Sequence, residues 1–198
     1  MGMTSQEAVE VIAKHREDSI IVSTMTAMFH LHATSPSPLN IDSVPLMGGA
    51  SGLGLGLALA RPERSVFVLD GDGSLLMQLG SLATIAGAKP RNLFHFVFNN
   101  NVWFEGLTNL SIPGQEEVDF ELMAKAAGYG ATYSFDDLEQ LNASMSSIIN
   151  GPSPAFIHLA ITNQGSRISK EHPQPELPDL QFERMGKQVQ VLKATLNA

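Results

Sequence analysis

Apolar residues recur along this chain in two rhythms, short unbroken runs rich in Val, Ile and Phe and longer stretches in which they return every three or four positions. The first rhythm is that of strands buried on both faces and the second that of amphipathic helices. Thr4-Ser5-Gln6-Glu7 is a capping-box pattern that opens a helix with Ala8, Val9, Val11 and Ile12 on its apolar face. Ser19 to Ser23 reads as a strand, Thr24 to Ala33 as a helix, and the Ser-, Pro- and Asn-rich segment Thr34 to Val44 as a surface loop. Met47 to Ala60 predicts a closely packed helix of glycines and leucines. Val66 to Asp70 and Phe94 to Phe98 predict two strands, with a helix from Leu75 to Ala86 between them. A helix from Val118 to Ala127 stopped by Gly128, a strand from Tyr129 to Tyr133, a helix from Asp136 to Ile149 and a strand from Ala155 to Thr162 continue the alternation. Asn163 to Pro178 is polar and proline-bearing, so it is expected on the surface before a last helix from about Asp179 to Leu196. The pattern predicts an α/β fold, a three-layer sandwich with a central, mostly parallel sheet, over residues 1–162. The arm and helix of 163–198 are expected to belong to that same domain.

Composition narrows the function. The 198 residues are 43% hydrophobic, enough for one sizeable core, and the formal charge of −8 argues against a nucleic-acid phosphate backbone as partner. No apolar run reaches the roughly 18 residues a membrane span needs and no signal-peptide pattern is present, so a cytoplasmic chain is expected, with no membrane partner. The absence of cysteine excludes disulfides, thiolate nucleophiles and cysteine-held iron-sulfur clusters.

The chemistry concentrates where two strands end. Val66-Phe67-Val68-Leu69-Asp70 runs into Gly71-Asp72-Gly73-Ser74, and Phe94-His95-Phe96-Val97-Phe98 runs into Asn99-Asn100-Asn101. A right-handed crossover makes these strands parallel and brings Asp72 and Asn100 to one carboxyl edge, where open α/β sheets bind ligands. Gly71 and Gly73 let backbone approach a phosphate, and Ser74 and the following amides begin a helix whose positive end faces it. A carboxylate and an amide oxygen beside a phosphate suit Mg²⁺, which favours oxygen and often binds through substrate phosphates.

At these residues the chain resembles the thiamine diphosphate enzymes, whose signature is GDG, roughly two dozen residues, then an Asn pair. Here 25 residues, Ser74 to Phe98, separate Gly73 from Asn99. The resemblance covers most of residues 18–162. Met47 to Ala58, Gly71 to Ile85 and Val118-Asp119-Phe120 are similar to the diphosphate-binding half of phosphonopyruvate and sulfopyruvate decarboxylases. It implies thiamine diphosphate and Mg²⁺ as cofactors, with Asp72, Asn100 and the backbone carbonyl of Val102 as metal ligands. It also implies cofactor contacts at Thr24, Met47, Gly48, Gly71, Gly73, Ser74 and Trp103. Met47 is then the apolar wedge that folds the aminopyrimidine over the thiazolium; core packing is its other reading. The activating glutamate belongs to a separate pyrimidine-binding domain, so a partner chain in a heterotetramer or larger assembly is expected. The expected reaction is decarboxylation of a short 2-oxo acid of the sulfopyruvate or phosphonopyruvate type. A carboligase of the acetolactate-synthase kind and a noncatalytic cofactor-binding or scaffolding subunit are the alternatives.

Three segments depart from that pattern or stand outside it. The decarboxylases carry Gly where Met25 stands and Arg where Phe29 stands, and a Gly-rich, Thr- and Gln-containing turn where this chain has Trp103 to Thr108. Trp103 can line the cofactor entrance, meet a partner or simply pack. His30 and His32 could share a metal on a strand, although no third ligand stands near them in sequence and plain hydrogen bonding is the simpler reading. The glycines of Met47 to Ala60 fit either contact with a flat ring or a tight helix crossing. They do not form a dinucleotide fingerprint, because GxGxxG is absent and the segment precedes a strand.

Overall fold

In the computed structural model the described residues are 2–44, 47–163, 169–171, 173 and 176–197. The elements run in chain order α1 (Ser5–Lys14), β1 (Ile20–Ser23), α2 (Met25–Thr34), β2 (Asn40–Asp42), α3 (Ala50–Ala60), β3 (Val66–Gly71), α4 (Asp72–Met77), α5 (Ser81–Ala88) and β4 (Leu93–Asn99). They continue with β5 (Val102–Trp103), β6 (Leu110–Ser111), α6 (Phe120–Ala127), β7 (Ala131–Phe135), α7 (Leu138–Ile149), β8 (Ala155–Ala160) and α8 (Pro178–Asn197). Six strands form one sheet in the order β2-β1-β3-β4-β8-β7, and every pairing in it is parallel. The expected mostly parallel sheet is thus parallel throughout.

Two cores sandwich the sheet. On one face Val9 and Ile12 of α1, Leu31 of α2 and Leu141, Met145 and Ile148 of α7 pack on Phe67, Phe94 and Phe96. On the other, Leu55 and Ala58 of α3, Leu82 and Ile85 of α5, Phe120 and Ala124 of α6 and Leu192 of α8 pack on Val68, Val97 and Phe156. The odd and even residues of β3 and β4 therefore serve opposite layers, as the period of two in a pleated strand requires. The capping box of α1 is formed, with the Thr4 side chain accepting from the Glu7 amide and the Glu7 carboxylate accepting from the Thr4 amide. Gly128 ends α6 in the left-handed conformation at φ 102°, where glycine carries no Cβ penalty.

Two expectations needed correction, and one pair of strands was unforeseen. Thr34 to Val44 is not loop throughout, because Asn40–Asp42 forms the edge strand β2 and is fully buried. Its polar side chains escape the hydrophobic pattern because distant groups satisfy them: Asn40 accepts from Arg16 at 2.6 Å, and Asp42 accepts from Arg184 at 2.8 Å and meets His32 at 2.9 Å. Leu75 to Ala86 is not one helix. It divides at Gln78 to Gly80 into α4 and α5, where glycine lowers helix propensity and the chain turns so that Leu82 and Ile85 face the sheet. Past Asn101, the antiparallel pair β5 and β6 stands apart from the main sheet and was not expected. Part of the surface arm from Asn163 to Pro178 lies outside the described residues. Beyond it α8 returns to the β2 edge, where the Gln188 side chain accepts from the Asp42 amide at 2.9 Å.

Candidate active site

Register brings the two polar strand ends side by side. Gly71 of β3 lies opposite Phe98 of β4, so Asp72 and the Asn99-Asn100-Asn101 turn leave the sheet together at its carboxyl edge. Asp72 is 2% exposed. One of its oxygens accepts from the Gly73 amide at 2.6 Å and the other from the Asn101 amide at 2.7 Å. The carboxylate thus cross-links the two strand ends. Burial pushes its pKa up to about 6, against the lowering effect of the Gly73, Asn101 and Asn100 amides and with a further upward push from Glu105. A charged group held at this cost is poised for a cation.

Around Asp72 each element has a separate task. Ser74 is buried, and its hydroxyl accepts from the Gly48 amide at 2.8 Å, tying the entrance of α3 to the first turn of α4. Gly48 has φ 87° and its Cα lies so near Gln78 that an added Cβ would sit 2.8 Å from the Gln78 Cβ, so glycine is required there on both counts. Gly73 lies under the Trp103 indole, which a Cβ at that position would meet at 3.2 Å. Asn100 is half-buried and its Oδ1 accepts from the Val102 amide at 3.1 Å, which curls the turn and leaves lone pairs on the amide oxygen. Asn101 holds φ 62°, a left-handed conformation that asparagine tolerates better than most residues.

These groups open on a cleft of about 740 Å³ whose lining includes Thr24, Met25, Phe29, His30, Met47, Gly71, Asp72, Gly73, Ser74, Asn100, Val102, Trp103, Phe104, Glu105 and Leu107. Of the cofactor and metal contacts that the resemblance implies, all but Gly48 border this cleft. Gly48 lines the adjoining groove instead, with Met47 common to both. Thr24 reaches the cleft, but its hydroxyl donates to the Ser43 carbonyl at 2.9 Å and braces the loop after β2. The two histidines part ways. His32 bonds Asp42, while His30 lines the cleft with its pKa lowered by burial, so the pair shares no ion.

Reading along the sequence gave no cofactor-site role to several residues here. Asp70 is buried below the cleft between the Gly71 amide at 2.9 Å and His95 at 3.3 Å, and His95 meets the Tyr129 hydroxyl at 3.2 Å. Glu105 and His30 enter the cleft wall from segments far apart in sequence, a juxtaposition with no local signal. Asn101 contributes through its backbone amide.

A diphosphate-bound Mg²⁺ fits this donor set. Asp72 and Asn100 offer hard oxygens, and among the described residues no cluster of three His, Cys, Asp or Glu side chains exists to build an all-protein cage. The buried Nε1 of Trp103 and Oδ1 of Asn101 have no hydrogen-bond partner among the described residues, which leaves polar capacity beside the same ligands.

Fold and site together define an α/β domain with a polar cleft at the carboxyl edge of a parallel sheet. The family model for the thiamine pyrophosphate enzyme C-terminal TPP binding domain matches residues 22–159, and the chain belongs to that family. A phosphonopyruvate decarboxylase of Streptomyces hygroscopicus is 42% identical over 147 residues, 72% of this chain and 35% of that protein. The sulfopyruvate decarboxylase subunit beta of Methanothermobacter thermautotrophicus is 33% identical over 156 residues, 78% of this chain and 80% of the subunit. The chain thus spans about a third of the Streptomyces decarboxylase and four-fifths of the archaeal subunit. A Mycobacterium smegmatis structure, described as a candidate thiamin diphosphate-dependent enzyme, superposes with a TM-score of 0.71 at 22% identity, covering 82% of this chain and 32% of that one, a likeness of fold. No helix among the described residues is long and apolar enough to cross a membrane.

Proposed function

We propose that this chain is the diphosphate- and Mg²⁺-binding subunit of a cytoplasmic, heteromeric thiamine diphosphate-dependent decarboxylase of a short 2-oxo acid, of the sulfopyruvate or phosphonopyruvate type. The observation that carries this reading is the pairing of Asp72 with the Asn100 turn across the carboxyl ends of β3 and β4, linked through the Asp72 to Asn101 hydrogen bond at 2.7 Å. The naming of the archaeal relative as a beta subunit supports a two-chain enzyme.

In this reading Asp72, Asn100 and the Val102 carbonyl hold the cation. Gly71, Gly73 and Ser74 admit the diphosphate, and Thr24 and Gly48 shape the turns around it. Met47 and Trp103 wall the ring system and exclude water. The bound cofactor supplies an electron sink for the carbon that loses carbon dioxide. Residues 1–162 form the binding domain, and 163–198 are an extension of it. The pyrimidine-binding partner contributes the activating glutamate and closes the cleft in a heterotetramer or larger assembly.

The test is carbon dioxide release from several short 2-oxo acids by the metal- and cofactor-saturated chain, alone and with a pyrimidine-domain subunit. Turnover is expected only with the partner, since acid-base assistance of this kind is worth ~10²–10⁴ in rate. Equal turnover by the chain alone would refute the half-site arrangement. Condensation products without free aldehyde would instead favour a carboligase.

A further inference from the structure

Strand β8 reads Ala155-Phe156-Ile157-His158-Leu159-Ala160, and His158 is the one polar side chain in that run. Register shows what it faces. Ser134 of β7 lies directly opposite His158 on one side, and Val97 of β4 lies opposite it on the other. Because side chains alternate along a strand, Asn99, two residues past Val97, stands on the same face one step nearer the carboxyl edge. Three polar side chains thus form a row across β7, β8 and β4. Phe120, the first residue of α6, stacks on the imidazole with ring centroids 6.5 Å apart and planes 23° from parallel, which fixes the ring from above. A polar group between strands and helix costs stability unless it is hydrogen-bonded.

The hydrogen bonds along this row allow one assignment of protons. A backbone amide can only donate, so the atom of Asn99 that meets the Asn101 amide at 3.3 Å is the side-chain oxygen. Asn99 Nδ2, a donor only, therefore faces His158 Nε2 at 3.0 Å, and that nitrogen must be bare to accept. The proton of the neutral imidazole then sits on Nδ1 and is donated to the Ser134 hydroxyl at 2.8 Å. Burial lowers the His158 pKa, against the upward pull of Asp119 and Glu121, and so favours the neutral ring. Both ends of the Asn99 amide are engaged within the chain. The Asn101 amide that Asn99 meets is the same one that donates to Asp72 at 2.7 Å.

We propose that His158 is a positioning residue for the ligating turn: its bare Nε2 holds the Asn99 amide, whose oxygen in turn steadies the Asn101 amide against Asp72. The role toward the cation rests on the proposed function, whereas the row of hydrogen bonds does not. Asn101 carries the left-handed φ of 62° between Asn100 and Val102, and such a backbone persists only where its surroundings over-determine it. The brace from Asn99 is one of those constraints, and it reaches the turn from β8 and β7, outside the cleft. Partners that orient a metal site from behind its ligands typically cost ~10–100-fold in affinity when removed.

Heteronuclear NMR of the full, metal-free chain with labelled histidine reads the proton directly. His158, assigned by the resonances that His158→Gln removes, is expected to be protonated at Nδ1 alone; in Asn99→Asp, where an acceptor replaces the amide donor, Nε2 should gain a proton. Trp103 is the single tryptophan and lies over Gly73 two residues past Asn101, so its fluorescence reports on the turn without any cofactor. His158→Leu deletes the acceptor and should red-shift that emission and open it to acrylamide, with unchanged circular dichroism. His158→Gln sets an amide oxygen near the place of Nε2 and should restore the wild-type emission. In calorimetry with Mg²⁺ and thiamine diphosphate the Leu variant should bind about 10-fold more weakly and the Gln variant close to wild type. A wild-type His158 protonated at Nε2, a Leu variant with wild-type emission and affinity, or a Gln variant no better than the Leu variant overturns the proposal. A wild type that binds no thiamine diphosphate overturns the proposed function alone, because the tautomer and the Trp103 emission still decide the role of His158.

Discussion

Two strand-to-helix turns face the same cleft from neighbouring strands, and they are built on opposite principles. The turn from β3 into α4, Asp70 to Ser74, places glycines where backbone must come close and satisfies its buried polar groups: Asp70 from Gly71 and His95, Asp72 from Gly73 and Asn101, Ser74 from Gly48. The turn from β1 into α2, Ser23 to Ala27, holds a non-glycine residue, Met25, at φ 52° and turns its hydroxyl at Thr24 away toward Ser43. In the proposed function one turn presents oxygen to a ligand; the other presents the Met25 thioether and holds a left-handed backbone. Equivalent places in one fold can thus divide labour, ligation at one and wall-building at the other.

The largest expected effect breaks the ligating turn. Asp72→Ala should weaken Mg²⁺-dependent binding of thiamine diphosphate by roughly 100-fold or more, ~3 kcal/mol, because the cation then relies on neutral protein oxygens and the diphosphate alone. Calorimetric titration with and without Mg²⁺ measures this. The metal-free fold should survive, since the substitution also removes a costly buried carboxylate.

That cost predicts a pH signature. The Asp72 pKa, about 6 in the folded chain, lies above its ordinary 3.8, so the folded state binds more protons than the unfolded state between these values. The contribution is fully present below about pH 4 and fades as pH rises through about 6, by at most ~3 kcal/mol for a shift of about two units. Denaturant melts of metal-free wild type and Asp72→Asn across this window should diverge, the mutant lacking the decline. Metal binding runs the other way. Below about pH 6 a proton competes for the carboxylate, and affinity should fall roughly tenfold per pH unit.

Much of this was legible in the sequence because each signal was local. The run Val66 to Asp70 is buried on both faces, Gly73 sits where backbone is approached, and the spacing to Asn100 corresponds to one βαβ unit. What escaped depended on distance. The edge strand β2 is polar by composition and becomes a strand only because Arg16 and Arg184 reach it from 24 and 142 residues away. Asp70 reads as one more strand residue, and only the fold brings His95, itself held by Tyr129, against its carboxylate; Glu105 acquires meaning only by sharing a cleft with His30. The break at Gln78 to Gly80 was hidden by apolar spacing that continues through it.

The smallest expected effect probes the wall-building turn, and it is argued from the sign of a difference. A left-handed φ costs a residue with a Cβ about 1–2 kcal/mol, whereas glycine adopts it freely but gives up ~0.5–1 kcal/mol in helix entropy. Met25 is half-buried, so truncating it also forfeits some apolar burial. Met25→Gly should therefore change stability by less than about 1 kcal/mol, a melting shift within about 2–4 °C for a chain of this size. Met25→Ala forfeits the same burial but keeps the strain, so it should be the less stable of the two by about 1 kcal/mol. Parallel thermal melts decide it. If alanine proves as stable as glycine, the strain at φ 52° is not paid by the side chain, and the contrast between the two turns reduces to their hydrogen bonds.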